Sequence, residues 1–346
     1  MYESYNEIFK QGKSLRKSYD YVMSKKGHIA NFFKDSEYEE IVFIACGSSY
    51  WLSASAHMTF QEKLGVRCCA VTSGEVIMNE EYYKKAYKKP LVIAPSRSGS
   101  TSETLKAVKF FKQNYGSRVL SIAEYEDAPI KGLSDLTLEI PWANEISVCQ
   151  TRSFSNMYMV CVMIAAIVGN DSALLEDINN YIEESASLMS KGEELLRTII
   201  KENPGWKNFV SIGNGKQYGI SCEGAYICIE MAQLPSNYYN TLELRHGPIV
   251  MLDSSYIVSV MSGENARELE ENMAKDARNK GAKVIAICDD GNFKNADYIF
   301  SLGRKASPEV TALYGIFVMQ GAAYLKAVAT GVDPDNPKEL VRWIKI

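Results

Sequence analysis

An internal repeat limits the folds that this sequence can adopt. FIACGSSYWLSASA from Phe43 resembles FVSIGNGKQYGISCEGA from Phe209, GSRVLSIA from Gly116 resembles GAKVIAIC, and DLTLEIP from Asp135 resembles DYIFSLG. The three pairs occur in the same order at nearly constant offsets of 166, 165 and 162 residues. Chance resemblance between hydrophobic strands would not keep this spacing. The repeat therefore predicts two copies of one β/α unit.

Within each copy, short apolar runs alternate with segments of helical periodicity. This alternation predicts the α/β class, with parallel sheets covered by helices on both faces in a flavodoxin-like three-layer arrangement. A chain of 346 residues is long enough for two such domains. We expect an N-terminal helical segment (1–40), a first domain (41–170), a helical connector (171–204), a second domain (205–330) and a C-terminal tail (331–346).

The stretch LVIAPSRSGSTSETL, from Leu91 to Leu105, has the pattern of a phosphate-binding turn. A continuous apolar run predicts a buried strand, and apolar residues return at helical spacing after Thr104. The junction would present unpaired N–H groups at the positive end of a helix. One hydroxyl, from Ser100 or Thr101, would suffice to cap that helix. Because five of the seven residues 96–102 carry hydroxyls, the sequence favours anion binding over capping alone.

The second copy differs at the corresponding turn. The apolar run Tyr256 to Met261 leads into Ser262-Gly263-Glu264-Asn265, where a carboxylate replaces the hydroxyls. A carboxylate would repel a phosphate. We therefore expect one phosphate site per chain, in the first half.

Composition excludes several classes of partner and cofactor. A net charge of −4 argues against nucleic acid and anionic membranes. Eight cysteines without a C-x-x-C pair and three histidines without zinc-site spacing predict neither a disulfide framework nor a metal site. The polar N-terminus is unlike a signal peptide, and the apolar run 159–169 is too short to span a bilayer. We expect a cytoplasmic protein.

Four motifs together resemble the sugar isomerase (SIS) family: CGSS at 46–49, PSRSGSTSET at 95–104, EGAYICIE at 223–230 and LRHGP at 244–248. The similarity is to the double-domain isomerase half of glucosamine-6-phosphate synthase, and it covers nearly the whole chain. GVDPDNPKEL at 331–340 resembles the tail that folds over the active site in that family. The resemblance implies two tandem SIS domains, a 6-phosphosugar substrate and no cofactor. Without a glutaminase domain, we do not expect ammonia to come from glutamine.

The resemblance also assigns roles to residues. Glu230 and His246 match the family's acid/base pair, in which the carboxylate moves a proton between C1 and C2 and the histidine reaches the neighbouring subunit's site, which implies a homodimer. On the residues alone, Glu230 would be a surface carboxylate of a helix and His246 a surface or structural histidine. The expected phosphate contacts are Ser49, Ser96, Arg97, Ser98, Gly99 and Thr101. The expected sugar contacts are Ser48, Val148 through its backbone, Gln150, Arg342 and Glu223, which is alternatively structural.

Four positions depart from the family pattern. Ile227 and Arg342 stand where the synthase has lysines, and an arginine does not readily form a Schiff base. Gln150 replaces a serine, so the shape of the substrate can differ there. Arg97 replaces a glutamine and is either a solvated arginine or an extra charge for the phosphate or an acidic substituent.

Three functions fit these residues. The first is an aldose/ketose 6-phosphate isomerase or an amino-sugar 6-phosphate deaminase, acting through an enediol or enolamine. The second is a deglycase for fructosamine 6-phosphates. The third is a non-catalytic sugar-phosphate sensor, which the presence of both Glu230 and His246 and the lack of a DNA-binding segment disfavour. The segment EISVCQTRSFS, 145–155, is closer to the synthase and deaminase branch than to the deglycases.

Overall fold

The computed structural model describes residues 2–263 and 265–341, which form two compact units. The N-terminal unit comprises Lys13–Glu145 and Arg152–Asn179, and the C-terminal unit comprises the residues up to Gly12, Ile146–Thr151 and Asn180–Leu340. Each unit is thus assembled from segments that are separated in the sequence, whereas the predicted domains were continuous.

Helices and strands alternate through most of the described chain. The α-helices are α1 Glu3–Phe9, α2 Gly12–Ser24, α3 Lys26–Lys34, α4 Ser48–Leu64, α5 Ser73–Met78, α6 Glu80–Tyr83, α7 Ser102–Tyr115, α8 Arg152–Val168, α9 Ser172–Glu202, α10 Tyr218–Ala232, α11 Arg267–Asn279 and α12 Pro308–Thr330. The strands are β1 Glu40–Ala45, β2 Arg67–Thr72, β3 Pro90–Pro95, β4 Val119–Ala123, β5 Leu136–Glu139, β6 Asn208–Ile212, β7 Ser236–Tyr239, β8 Tyr256–Met261, β9 Lys283–Cys288 and β10 Tyr298–Ser301. Short 3-10 helices cover Pro129–Leu133, Pro141–Ala143, Gly215–Gln217, Thr241–Arg245 and Pro248–Met251.

Each unit contains one five-stranded parallel sheet. The strand order is β2-β1-β3-β4-β5 in the N-terminal unit and β7-β6-β8-β9-β10 in the C-terminal unit, which is the flavodoxin-like order in both. Every residue of β1 and β3 is buried, because helices cover both faces of the sheet. The predicted α/β class and the duplication of the unit are confirmed.

The two copies also share the register at which their central strands end. Ser96, the first residue after β3, donates its N–H to the carbonyl of Ile122, and Ser262, the first residue after β8, donates to Ile287. These bonds place the turns after β3 and β8 at the carboxyl edges of their sheets, where open α/β folds bind ligands.

Helix α12 is long and apolar enough to cross a membrane, although the sequence analysis named only the shorter apolar run 159–169. However, 89% of its most apolar window is buried inside the protein. The buried core helix of a globular domain has the same composition, and α12 packs against α10 and α1 of its own unit. Gln320 and Lys326 are buried polar residues within it.

Candidate active site

The turn after β3 is held by the next β/α loop of the N-terminal unit. The carbonyl of Arg97 accepts a hydrogen bond from the N–H of Glu124 at 3.1 Å, and the carbonyl of Gly99 accepts one from the N–H of Ile130 at 2.9 Å. Gly99 adopts φ +59°, and a Cβ there would lie 2.5 Å from the Cβ of Ala128. Glycine is therefore required at this position for both backbone and packing reasons.

Side chains of the turn also bind its backbone. The Oγ of Ser96 accepts the N–H of Gly99 at 3.2 Å, and the Oγ of Ser98 accepts the N–H of Ser100 at 3.2 Å. The N–H of Gly99, which the sequence suggested as a phosphate donor, is therefore used inside the turn. Thr101 is the N-cap of α7, and its side chain makes no capping hydrogen bond. The capping alternative thus does not account for the hydroxyls, and the positive end of a 14-residue helix follows the turn.

Ser48 and Ser49 lie at the same edge of the sheet as this turn. They open α4 directly after β1, at a bend where Gly47 has φ +54°, and both side chains are buried. Strands β1 and β3 are paired neighbours, and the strand order reverses between them. This reversal marks the crevice in which flavodoxin-like sheets bind phosphorylated ligands. The predicted phosphate residues of the N-terminal unit therefore lie at one edge of the sheet, on the two strands between which the strand order reverses.

Arg97 is not a solvated surface arginine. Its side chain is only 8% exposed, and its Nη1 lies 3.6 Å from Oε2 of the fully buried Glu145. Glu145 also accepts the N–H of Ser153 at 3.1 Å and its hydroxyl at 2.5 Å. The positive charge of Arg97 is thus paired with the carboxylate of Glu145. This pairing favours a structural role for Arg97 in the turn.

Glu124 adds a second buried carboxyl beside this ion pair. Both of its oxygens lack a hydrogen-bond partner among the described residues, since the hydroxyl of nearby Ser153 is donated to Glu145. Burial, and then the negative charge of Glu145, raise the pKa of Glu124 well above its usual range, although Arg97 opposes the shift. A protonated Glu124 leaves Arg97 and Glu145 as a neutral pair.

In the C-terminal unit, the turn after β8 is filled by the protein itself. Glu270 of α11 accepts the hydroxyl of Ser262 at 2.8 Å and the N–H of Gly263 at 3.1 Å. The sequence analysis attributed the loss of a phosphate site to Glu264, which lies outside the described residues. Glu270, which is 2% exposed, provides a direct cause, because an added phosphate would have to displace it.

Helix α10 carries the predicted carboxylates of the C-terminal unit. Glu223 is fully buried, whereas Glu230 is partly buried. Tyr226 lies one helical turn from each of them. Its pKa is raised to about 12 by burial and then by the charges of Glu230 and Glu223. The sequence analysis missed this phenol, although the spacing 223, 226, 230 places all three on one helix face. Ile227 is buried on the same helix.

His246 is an exposed residue at the end of the 3-10 helix Thr241–Arg245. Its neighbour Arg245 is fixed by Asp276, with Nε 2.7 Å from the carboxylate. Val250 and Met251 in the next 3-10 helix are 75% and 64% exposed. The histidine therefore stands in an exposed apolar surface, formed with Leu242, Val250 and Met251, which we call the His246 surface.

Three further residues were predicted to contact the sugar, and the structure describes two of them. Val148 and Gln150 belong to Ile146–Thr151 of the C-terminal unit, where the N–H of Val148 donates to the carbonyl of Asp335 at 2.9 Å. Arg342 falls outside the described residues. Within residues 2–263 and 265–341, no group of three or more His, Cys, Asp or Glu side chains could hold a metal ion.

We expect Glu124→Gln to stabilise the protein increasingly as the pH rises. The folded-state pKa of Glu124 is raised, so the folded protein retains a proton that the unfolded chain releases. The stability that this proton contributes is complete below the unfolded pKa and is lost as the pH rises through the folded pKa. Glutamine stays neutral, so thermal unfolding at pH 5–8 should give a gain that grows to about 1–3 kcal/mol.

The exposed Glu126→Gln serves as the control and should show no such trend. A pH-independent difference between Glu124→Gln and wild type would contradict the assignment of a neutral, buried carboxyl.

Comparison with known proteins identifies the family and the fold. The SIS domain model matches residues 36–167 and 205–325. A glutamine–fructose-6-phosphate aminotransferase of Xanthomonas campestris is 26% identical over 98% of this chain, which spans only 58% of that relative's length. The crystal structure of a glucosamine-6-phosphate deaminase from Thermotoga maritima superimposes with a TM-score of 0.84 and 25% identity, over 99% of this chain and 100% of the other.

A tagatose-6-phosphate ketose/aldose isomerase from Escherichia coli has the same fold, with a TM-score of 0.82 and 20% identity over 98% of this chain and 95% of the other. The resemblance inferred from the four sequence motifs is confirmed. With the family model matching both repeats, this chain belongs to the SIS domain family.

Proposed function

We propose that the chain is a phosphosugar-metabolising enzyme, either an aldose/ketose 6-phosphate isomerase or an amino-sugar 6-phosphate deaminase. The observation that carries the proposal is the hydroxyl-rich turn after β3, which stands at the strand-order reversal and precedes an uncapped helix. In this proposal the phosphate is bound by Ser49, Ser96, Ser98 and Thr101 and by backbone N–H groups at the start of α7. The likeness to a glucosamine-6-phosphate deaminase over the whole chain supports it.

The chemistry proposed for the C-terminal unit is a proton transfer between C1 and C2 of the open-chain sugar. Glu230 removes the proton from one carbon and returns it to the other, through an enediol or, with a 2-amino sugar, an enolamine. For an amino sugar, protonation at C1 gives a C2 ketimine, which water hydrolyses to the ketose phosphate and ammonia. Tyr226 lies on the same face of α10 and close enough to Glu230 and Glu223 for their charges to raise its pKa.

The residues at the two positions where the synthase has lysines, Ile227 and Arg342, restrict the chemistry that we propose. Ile227 is fully buried where the synthase has a lysine, so no imine to the enzyme forms at that position. In this proposal the sugar hydroxyls are contacted by Ser48, Val148 and Gln150, and Glu223 is a further sugar contact or a structural carboxylate. In this proposal Arg342 is a further sugar contact and retains its charge throughout.

We also propose a cytoplasmic homodimer in which His246 opens the sugar ring at the neighbouring subunit's site. The exposed apolar residues Val250 and Met251 support this, since burying them against a second copy would remove a large apolar area from water. The cysteines are free thiols, as in a reducing compartment.

A substrate panel tests the reaction class. We expect glucosamine 6-phosphate to yield ammonia and fructose 6-phosphate if the enzyme is a deaminase, and fructose 6-phosphate to be converted to an aldose phosphate without ammonia if it is an isomerase. Both products are measured by coupled assays. Release of glucose 6-phosphate from fructoselysine 6-phosphate alone would replace the proposal with a deglycase, and binding of phosphosugar without turnover would indicate a sensor.

Replacing Glu230 separates catalysis from binding. Glu230→Gln should lower kcat by about 10²–10⁴-fold, because an amide cannot accept the substrate proton. Phosphosugar affinity, measured by calorimetry, should stay within a few-fold of wild type. The exposed Glu194→Gln is the matched control. Wild-type turnover in Glu230→Gln would remove Glu230 from the mechanism.

Val250→Asp tests the proposed dimer. A charge on the His246 surface should weaken self-association, since it would be buried unpaired at the interface. Sedimentation equilibrium should show a shift towards monomer, accompanied by loss of turnover, whereas Val328→Asp, at a valine with 43% exposure, should change neither. A monomeric wild-type enzyme with full activity would refute the shared site.

A further inference from the structure

Glu7 of α1 is a buried carboxylate that binds the start of the segment Ile146–Thr151. It is 2% exposed. Its Oε1 accepts the N–H of Ile146 at 2.6 Å and that of Ser147 at 3.3 Å, and its Oε2 accepts the hydroxyl of Ser147. A carboxylate at this depth is tolerated because such donors replace water. Glu7 thereby fixes the first two residues of the segment.

Asp335, in the tail after α12, joins the same segment to α1. Its carbonyl accepts the N–H of Val148 at 2.9 Å. Its carboxylate accepts the N–H of Glu3 at 2.7 Å and both the N–H and the hydroxyl of Ser4, at 2.8 and 2.6 Å. These bonds satisfy N–H groups at the start of α1, the helix that carries Glu7. The tail and the N-terminal helix therefore support the segment as one connected network.

A third contact fixes the end of the segment. Gln320 is fully buried in the apolar helix α12, and its Nε2 donates to the carbonyl of Thr151 at 2.8 Å. The Nε2 of Gln11 donates in turn to the Oε1 of Gln320 at 3.2 Å. A buried amide in a helix of this composition is costly unless it is hydrogen-bonded, and the segment provides its partner.

Within the segment, the side chain of Gln150 has a buried oxygen that a ligand could bind. The Oε1 of Gln150 is buried and has no hydrogen-bond partner among residues 2–263 and 265–341. A buried amide oxygen of this kind accepts a donor from water or ligand. A sugar hydroxyl or ammonium would provide one.

We propose that Glu7 and Asp335 are positioning residues that hold Ile146–Thr151 in the conformation that binds the sugar. The inference rests on the proposed function, because Val148 and Gln150 are its sugar contacts. Glu7 and Asp335 thus contribute to the affinity for the sugar, although neither carries a reacting group. Fixing the segment during folding spares the substrate the entropy of ordering it.

The test compares Glu7→Ala with Glu7→Gln and with Glu3→Ala, which removes an exposed carboxylate from the same helix. Amide hydrogen exchange of the free protein gives the first readout. We expect faster exchange at Val148 in Glu7→Ala, although Val148 donates to Asp335 and not to Glu7. Glu7→Gln keeps one acceptor oxygen and should restore part of the protection, and Glu3→Ala should match wild type.

Calorimetry with glucosamine 6-phosphate and with inorganic phosphate gives the second readout. Glu7→Ala and Asp335→Ala should bind the phosphosugar about 3–10-fold more weakly, with unchanged affinity for inorganic phosphate. Unchanged exchange at Val148, or an equal loss of affinity for both ligands, would overturn the inference. If wild type binds inorganic phosphate but no phosphosugar, the proposed function fails, and so does the role of Ile146–Thr151 in binding the sugar. The exchange at Val148 still decides whether Glu7 and Asp335 hold this segment.

Discussion

In both copies of the β/α unit, a helix follows the central strand, and the backbone N–H groups at this junction need negatively charged or polar partners. The copy with α11 meets it internally, since Glu270 folds back onto Ser262 and Gly263. The copy with α7 has short hydroxyls, an N-cap without a capping bond and a glycine at φ +59°. The same fold thus closes one crevice with its own carboxylate and leaves the other to a phosphate in our proposal.

Charge inside the N-terminal unit is arranged to support this turn. Arg97 could strengthen phosphate binding by direct contact, yet it is buried beside Glu145. The guanidinium is paired with the buried carboxylate of Glu145, so its charge is largely compensated within the protein, and the helix and the backbone of the turn are left to attract a bound anion. The arginine at position 97, where the family has a glutamine, therefore contributes to the structure of the turn through its ion pair with Glu145.

The features that could be predicted from sequence depend on local pattern. Continuous apolar runs predicted the strands, because strands covered on both faces are apolar throughout. The repeat offsets predicted two copies of one β/α unit, whereas the strand order that the two sheets share came from the structure. The role of Glu270 could not be read in the same way. It lies only seven and eight residues beyond the groups it binds, yet the turn's own residues do not show that a side chain of the following helix will occupy the turn. Tyr226 could have been predicted, because the helical spacing of residues 223, 226 and 230 places it on the same face of α10 as the two carboxylates.

Long-range polar contacts account for the rest of what the sequence did not reveal. Glu7 and Ser147 are 140 residues apart, and Ser4 and Asp335 are 331 apart, so no periodicity links them. Each residue is unremarkable within its own segment, and only the fold shows that a buried carboxylate and a tail aspartate share one loop. Because a buried polar group must find a partner or pay for its desolvation, such networks tie distant segments to a single arrangement. Helix α1 and the stretch after α12 are therefore both held to the segment that we propose binds the sugar.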